Sequence, residues 1–234
     1  NHPRAQPLTA QMLSAVRYDR AFDIFRDRFA DVSDFTFVIV GAVNVDSLRP
    51  LVEQWLGALP STGRAEAWRD VGMHAPTTLI DKVVRKGVEP KAQTVVFFSG
   101  ETTFDPATRY AMRSLGELLE MKLLDNLREA LGGTYSVQAG GQASKYPRPE
   151  YQFTVSFGSS PEKVDTLFRT VLAVIDSVKR DGPTAAEIQK VREQQQRTQE
   201  VSLKENSYWL GNIAARTENG EDPRGLATYG RDFI

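Results

Sequence analysis

Leu127-Arg128-Glu129-Ala130-Leu131-Gly132-Gly133-Thr134-Tyr135-Ser136-Val137 holds the change of periodicity on which the fold turns. Upstream of it, Ala111, Leu115, Leu119, Leu123, Leu127 and Leu131 recur every fourth residue, the spacing of one helix face. Two glycines then stop the helix, since glycine takes the backbone conformations of a helix C terminus without a Cβ penalty. From Thr134 to Ala143 the chain reads as a strand, so a long helix hands over to a strand across a tight reversal. Asp105-Pro106 predicts the start of that helix. Asp offers an acceptor to the free amides of the first turn, where proline is tolerated.

Working outward, residues 79–86 and Thr94-Val95-Val96-Phe97-Phe98-Ser99 read as strands. Tyr151, Phe153, Val155 and Phe157 alternate with polar residues, as in a strand with one buried face. Ser160-Pro161 opens a helix with Val164, Leu167, Phe168, Val171, Ile175 and Val178 inward, and Asp181-Gly182-Pro183 ends it. Thr184-Ala185-Ala186-Glu187 has the capping-box pattern and starts a long polar helix with Ile188, Val191 and Val201 on one side. Its tract Arg192 to Glu200 reads as solvated surface, as do Glu117 and Glu120 on the leucine helix.

Toward the N terminus, Tyr18, Phe22, Phe25 and Phe29 predict a helix with one apolar stripe. Phe35 to Val40 reads as a short strand ended by Gly41. Asp46 is the expected cap of a helix carrying Leu48, Leu51, Val52, Trp55 and Leu56, which Gly57 closes. The turn-rich stretches Pro60-Ser61-Thr62-Gly63 and 69–78 place a boundary near residue 72, giving domains 1–72 and 73–234. The order is ββαββαα after an αβα segment. Adjacent strands imply hairpins, so the predicted class is α+β: an antiparallel or mixed sheet with helices packed on one face.

The 234 residues carry a formal net charge of -1, with charges spread along the chain, which speaks against a basic nucleic-acid surface. No stretch approaches the roughly 18 apolar residues of a membrane span. The absence of cysteine removes thiolate zinc sites, disulfides and cysteine nucleophiles. A zinc hydrolase needs three protein ligands, usually including two histidines on one helix face. Only His2 and His74 are present, far apart and in no His-Glu-x-x-His or His-x-x-Glu-His pattern, so no metal site is expected. No Gly-x-Ser-x-Gly elbow exists for a serine triad. Gly132-Gly133 and Gly140-Gly141 lack the Lys-Ser/Thr of a phosphate loop, and mark a helix stop and a strand kink or close backbone approach.

The opening stretch has two readings on spacing alone. In one, Arg128 caps a helix C terminus, where the dipole favours a cation, and Tyr135 packs on the core. In the other, Arg128 and Tyr135 project from one rim of the sheet as donors for a peptide carbonyl or a developing oxyanion.

That stretch closely resembles the Arg…Tyr motif in the C-terminal half of pitrilysin/insulinase-type zinc peptidases. Residues 35–60, from the strand through Gly41 to Trp55-Leu56-Gly57-Ala58-Leu59-Pro60, resemble the family's strand, glycine and helix ending in a Leu-Pro turn. Val84 to Lys91 and Val201 to Leu210 resemble the bacterial, secreted, PqqL-like branch. The similarity covers nearly the whole chain. It implies two homologous halves closing around a peptide, zinc held by a His-x-x-Glu-His motif in the N-terminal half, and an Arg and a Tyr supplied by the zinc-free C-terminal half. Mapped here, Tyr135 would donate to the scissile carbonyl, Arg128 would orient Tyr135 or bind substrate backbone, and Gly132 and Gly133 would set the geometry between them.

On this reading residues 1–72 end the preceding homologous domain, and 73–234 form most of the C-terminal one, truncated at its end. The chain itself needs no cofactor, zinc belonging to the missing half, and is not expected to cut alone. Its partners are peptide or unfolded substrate and the zinc-bearing half of the same parent, in a periplasmic or secreted setting. The alternative is a non-proteolytic scaffold or partner subunit of the same superfamily.

Overall fold

The computed structural model describes residues 2–131 and 136–234, with side chains for 2–127 and 136–234. Its elements are α1 (Ala10–Ser14), α2 (Tyr18–Phe29), α3 (Val45–Trp55), β1 (Ala92–Glu101), α4 (Pro106–Leu131), β2 (Val137–Ser144), β3 (Glu150–Ser159), α5 (Val164–Asp181), α6 (Ala185–Ser202), α7 (Asn206–Glu218) and α8 (Tyr229–Phe233). They divide into two compact units, 1–73 with 201–227, and 74–200 with 228–234.

The second unit is built on an antiparallel sheet of order β1-β3-β2. Phe98 pairs with Phe153 and Val96 with Val155, while Ala139 pairs with Val155 and Val137 with Phe157. This register puts every second residue of β3 on one face, and Phe153, Val155 and Phe157 are buried there. Leu119, Leu123 and Leu127 of α4 and Leu167, Val171 and Val174 of α5 close the same core. The four-residue leucine spacing of α4 therefore does what its periodicity predicts: it lays one apolar stripe along the sheet. Asp105 starts α4, its Oδ1 accepting the Thr108 amide at 2.8 Å. Gly182, at φ 69°, ends α5 in the left-handed region.

The capping box of α6 is reciprocal. The Thr184 amide donates to Glu187 Oε2 at 2.8 Å, and the Glu187 amide to Thr184 Oγ1 at 3.3 Å. Lys122 Nζ reaches Glu187 Oε1 at 2.5 Å and so ties α6 to α4.

Three local expectations change. Residues 35–40 and 79–86 have no partner strand among the described residues. A β-rich run without a neighbour forms no ladder, whatever its side chains prefer. The cap of α3 is Asn44, whose Oδ1 accepts the Ser47 amide at 2.9 Å, and Asp46 lies inside the first turn. The third concerns α6. Gln195 is fully buried, and Gln199 nearly so, within the tract read as solvated. Both continue the i+4 series from buried Val191, so the inward stripe of α6 carries amides.

In the first unit, buried Asp31 joins two loops. The Ser33 and Thr62 amides donate to its carboxylate at 2.8 Å each, and both residues' hydroxyls donate as well. The Val32 amide donates to Pro60 O at 2.9 Å in the same crossing. The Ser33 hydroxyl first, then that of Thr62, holds the Asp31 carboxyl far below the usual carboxylate range. A carboxyl depressed in the folded state contributes stability above its unfolded pKa of about 3.9, and that stability is lost as pH falls through the folded value. The wild-type chain is therefore expected to melt higher than Asp31→Asn at neutral pH. The gap should narrow steadily as pH drops below about 4. Thermal melts of both proteins between pH 7 and pH 2 check this, and a gap that does not change with pH contradicts it.

Candidate functional site

The Arg128–Tyr135 segment links the end of α4 to the start of β2. The Arg128 backbone lies in the last turns of α4. Its side chain, Gly132, Gly133 and Tyr135 lie outside the described residues. What is described is the frame on either side. Leu127, just before Arg128, and Val137, two residues after Tyr135, are both buried and belong to one core cluster. The residues flanking the segment are thus both anchored in the core of the second unit.

The frame is also tight along its length. A Cβ on Gly116 of α4 would lie 3.0 Å from Gly140 Cα and 3.2 Å from Ala139 O. A Cβ on Gly141 would meet Phe153 Cδ2 at 2.5 Å and Met112 O at 3.2 Å. Gly116 and Gly141 therefore allow a close approach of helix to strand, whereas a Cβ on Gly140 would meet open space. Beside it, the Ala139 amide donates to Glu120 Oε2 at 3.3 Å. Glu120 therefore has a partner on the strand.

Behind α4, a polar network crosses to α6. Tyr110 Oη donates to Gln195 Oε1 at 3.0 Å, and Gln195 Nε2 donates to Ser114 Oγ at 3.0 Å and to Glu117 Oε2 at 2.6 Å. Arg113 Nε donates to the other Glu117 oxygen at 2.9 Å. Glu117, read from sequence as solvated, is one of its members. The sequence signal for the network was present, since Gln195 stands four residues after Val191, but amides at inward positions are not recognised by hydropathy.

The remaining candidates do not gather. Among the described residues, no group of three or more His, Asp or Glu side chains is placed to hold a metal ion. His2 Nδ1 accepts the Arg4 amide at 3.1 Å, and His74 Nδ1 lies 3.8 Å from Glu150 Oε1, which Arg148 also contacts. These residues do not fit a zinc centre of the kind that peptidases use. Nor is any helix among the described residues long and apolar enough to cross a membrane.

Residues 17–195 match the family model described as the peptidase M16 inactive domain. The chain belongs to that family. It is 28% identical over 222 residues to the zinc protease PQQL-like of Arabidopsis thaliana, covering 89% of this chain and 23% of that protein. It is 25% identical over 153 residues to the probable zinc protease PqqL of Haemophilus influenzae, covering 65% of this chain and 16% of that protein. The crystal structure of the periplasmic protease PqqL from Escherichia coli superposes with a TM-score of 0.82 at 22% identity, over 97% of this chain and 25% of that one. This M16 inactive domain thus spans about a quarter or less of the length of these relatives. The α+β architecture, with antiparallel sheet and helices over its core face, is shared with the Escherichia coli PqqL structure.

Proposed function

We propose that this M16 inactive domain binds and orients peptide substrate, and supplies Arg128 and Tyr135 to an active site formed with a zinc-bearing N-terminal half of the same polypeptide. The observation that supports the proposal is the burial of Leu127 and Val137, which flank the Arg128–Tyr135 segment, in one core cluster; the proposal sets the segment at the rim of the sheet.

A phenol at that rim donates a hydrogen bond to a peptide carbonyl, and strengthens it as charge develops on the oxygen. The guanidinium of Arg128, with its fork of donors, holds Tyr135 or the substrate backbone in position. Gly132 and Gly133 allow the chain to reverse between them. β2 lies at an edge of the sheet, and an extended peptide can add to such an edge through main-chain hydrogen bonds, which gives affinity with little sequence preference. The zinc chemistry belongs to the other half. In this reading residues 1–72 complete the preceding homologous domain, and the assembly works in the periplasm or outside the cell. Because the donor and the metal come from opposite walls, closure on substrate assembles the site.

The chain alone, supplied with zinc and a quenched fluorescent peptide, is expected to bind the peptide and leave it intact. Addition of the His-x-x-Glu-His half is expected to produce cleavage. Zinc-dependent hydrolysis by the chain alone would refute the division of labour.

A further inference from the structure

Among the described residues β2 lies at an edge of the sheet, and its side chains alternate between two environments. Val137, Ala139, Gly141 and Ala143 turn toward the core, while Gln138, Gly140, Gln142 and Ser144 turn to the open face. Gly140 leaves a gap in that outer row. Among the described residues, a Cβ built there would meet nothing within 4 Å. The gap belongs to a depression of about 330 Å³ lined by Gly140, Gly141, Gln142, Gln152 and Thr154, all of them uncharged. Across the sheet Gly140 is paired with Thr154, and Thr154 with Phe97, whose ring is 61% exposed. In the next row on this face the carboxamides of Gln142 and Gln152 stand on paired residues.

The main chain fixes how an added strand meets this gap. The Gly158 amide of β3 donates to Ser136 O at 3.4 Å, so Ser136 and, by alternation, Gly140 turn their main-chain groups toward β3. Ala139 turns its amide to the outer edge, where Glu120 accepts it. The next outward-facing groups are those of Gly141 and Ala143. A strand added antiparallel through them sets one residue opposite Gly140 in a non-hydrogen-bonded pair. That is the pair in which facing side chains come closest, with Cα atoms about 4.5 Å apart. Opposite a glycine, the incoming side chain must fill the gap itself. A small side chain leaves it to water, and a charged one finds no counter-charge in the lining. An aromatic ring lies flat over the glycine backbone and reaches Thr154, the packing by which rings compensate for strand glycines.

We propose that the gap at Gly140 is a subsite for one aromatic side chain of an extended peptide bound along β2. This subsite rests on the peptide-binding role proposed above and adds to it a side-chain preference at one position. It involves neither Arg128 nor Tyr135.

The test measures the binding of two fluorescein-labelled decapeptides of alternating Thr and Ser to the 234-residue chain by anisotropy, one with a central Phe and one with a central Ala. The Phe peptide is expected to bind about tenfold more tightly, as partial burial of a ring contributes. In Gly140→Thr the new Cβ enters open space, so the fold is kept and the gap is filled. The ratio of the two affinities is then expected to fall to about one, with the melting temperature unchanged. Equal binding of the two peptides by the wild type, or a Phe preference that survives in Gly140→Thr, would overturn the subsite and leave peptide binding standing. Binding of neither peptide would remove the peptide-binding role and the subsite with it. A dimer of the wild-type chain that Gly140→Thr dissociates would give the gap to a second copy, and so overturn the subsite too.

Discussion

Gln195→Leu is expected to destabilise the second unit by about 2–4 kcal/mol, a fall in melting temperature of roughly 4–16 °C. The side chain is fully buried and makes three hydrogen bonds, with Tyr110, Ser114 and Glu117, all on α4. Leucine fills a similar volume, so the apolar contacts of α6 largely survive. What is lost is the partner of a phenol, a hydroxyl and a carboxylate that face the protein interior. A buried polar group deprived of its partner costs about 1–3 kcal/mol, more than an average hydrogen bond contributes. Relaxation of Glu117 toward Arg113, already 2.9 Å away, recovers part of the loss. Tyr110 also packs against Phe233 of α8 at 5.5 Å, which limits how far its ring can turn to find water. Circular dichroism melts of the two proteins check the value. An unchanged melting temperature would mean that the network is not a structural joint.

How much of this was legible in the sequence depends on how local the cause is. The helix α4 was legible from Asp105-Pro106 and the leucine series, because a cap and a period of 3.6 are properties of neighbouring residues. So was α6, from Thr184 and Glu187. Residues 35–40 and 79–86 read as strands with equal clarity. A ladder, however, is a property of two segments, and no short window of sequence says whether the partner is there. Asn44 was passed over for Asp46 because both are good caps, and only the backbone angles choose between them. Gln195 and Glu117 were missed because hydropathy treats every amide and carboxylate as solvent-facing, whereas each of these answers a specific donor or acceptor in the network between α4 and α6. For the candidate site, spacing left Arg128 and Tyr135 open between a capped helix end and a functional rim. The family resemblance favoured the rim, and family membership is now shown. The roles of the two side chains rest on the proposal.

The measurement that bears most directly on that proposal is the rate of the complete two-half peptidase carrying Tyr135→Phe. Phenylalanine keeps the ring and removes only the hydroxyl, so a single donor is deleted. If Tyr135 donates to the carbonyl oxygen as charge develops on it, the bond is stronger in the transition state than in the bound substrate. Removal of such a donor costs about 3 kcal/mol, so kcat should fall roughly a hundredfold or more with KM little changed. The melting temperature should stay with the wild type. A variant with wild-type kcat, or one whose entire loss appears in stability, would show that the phenol of Tyr135 takes no part in handling the peptide.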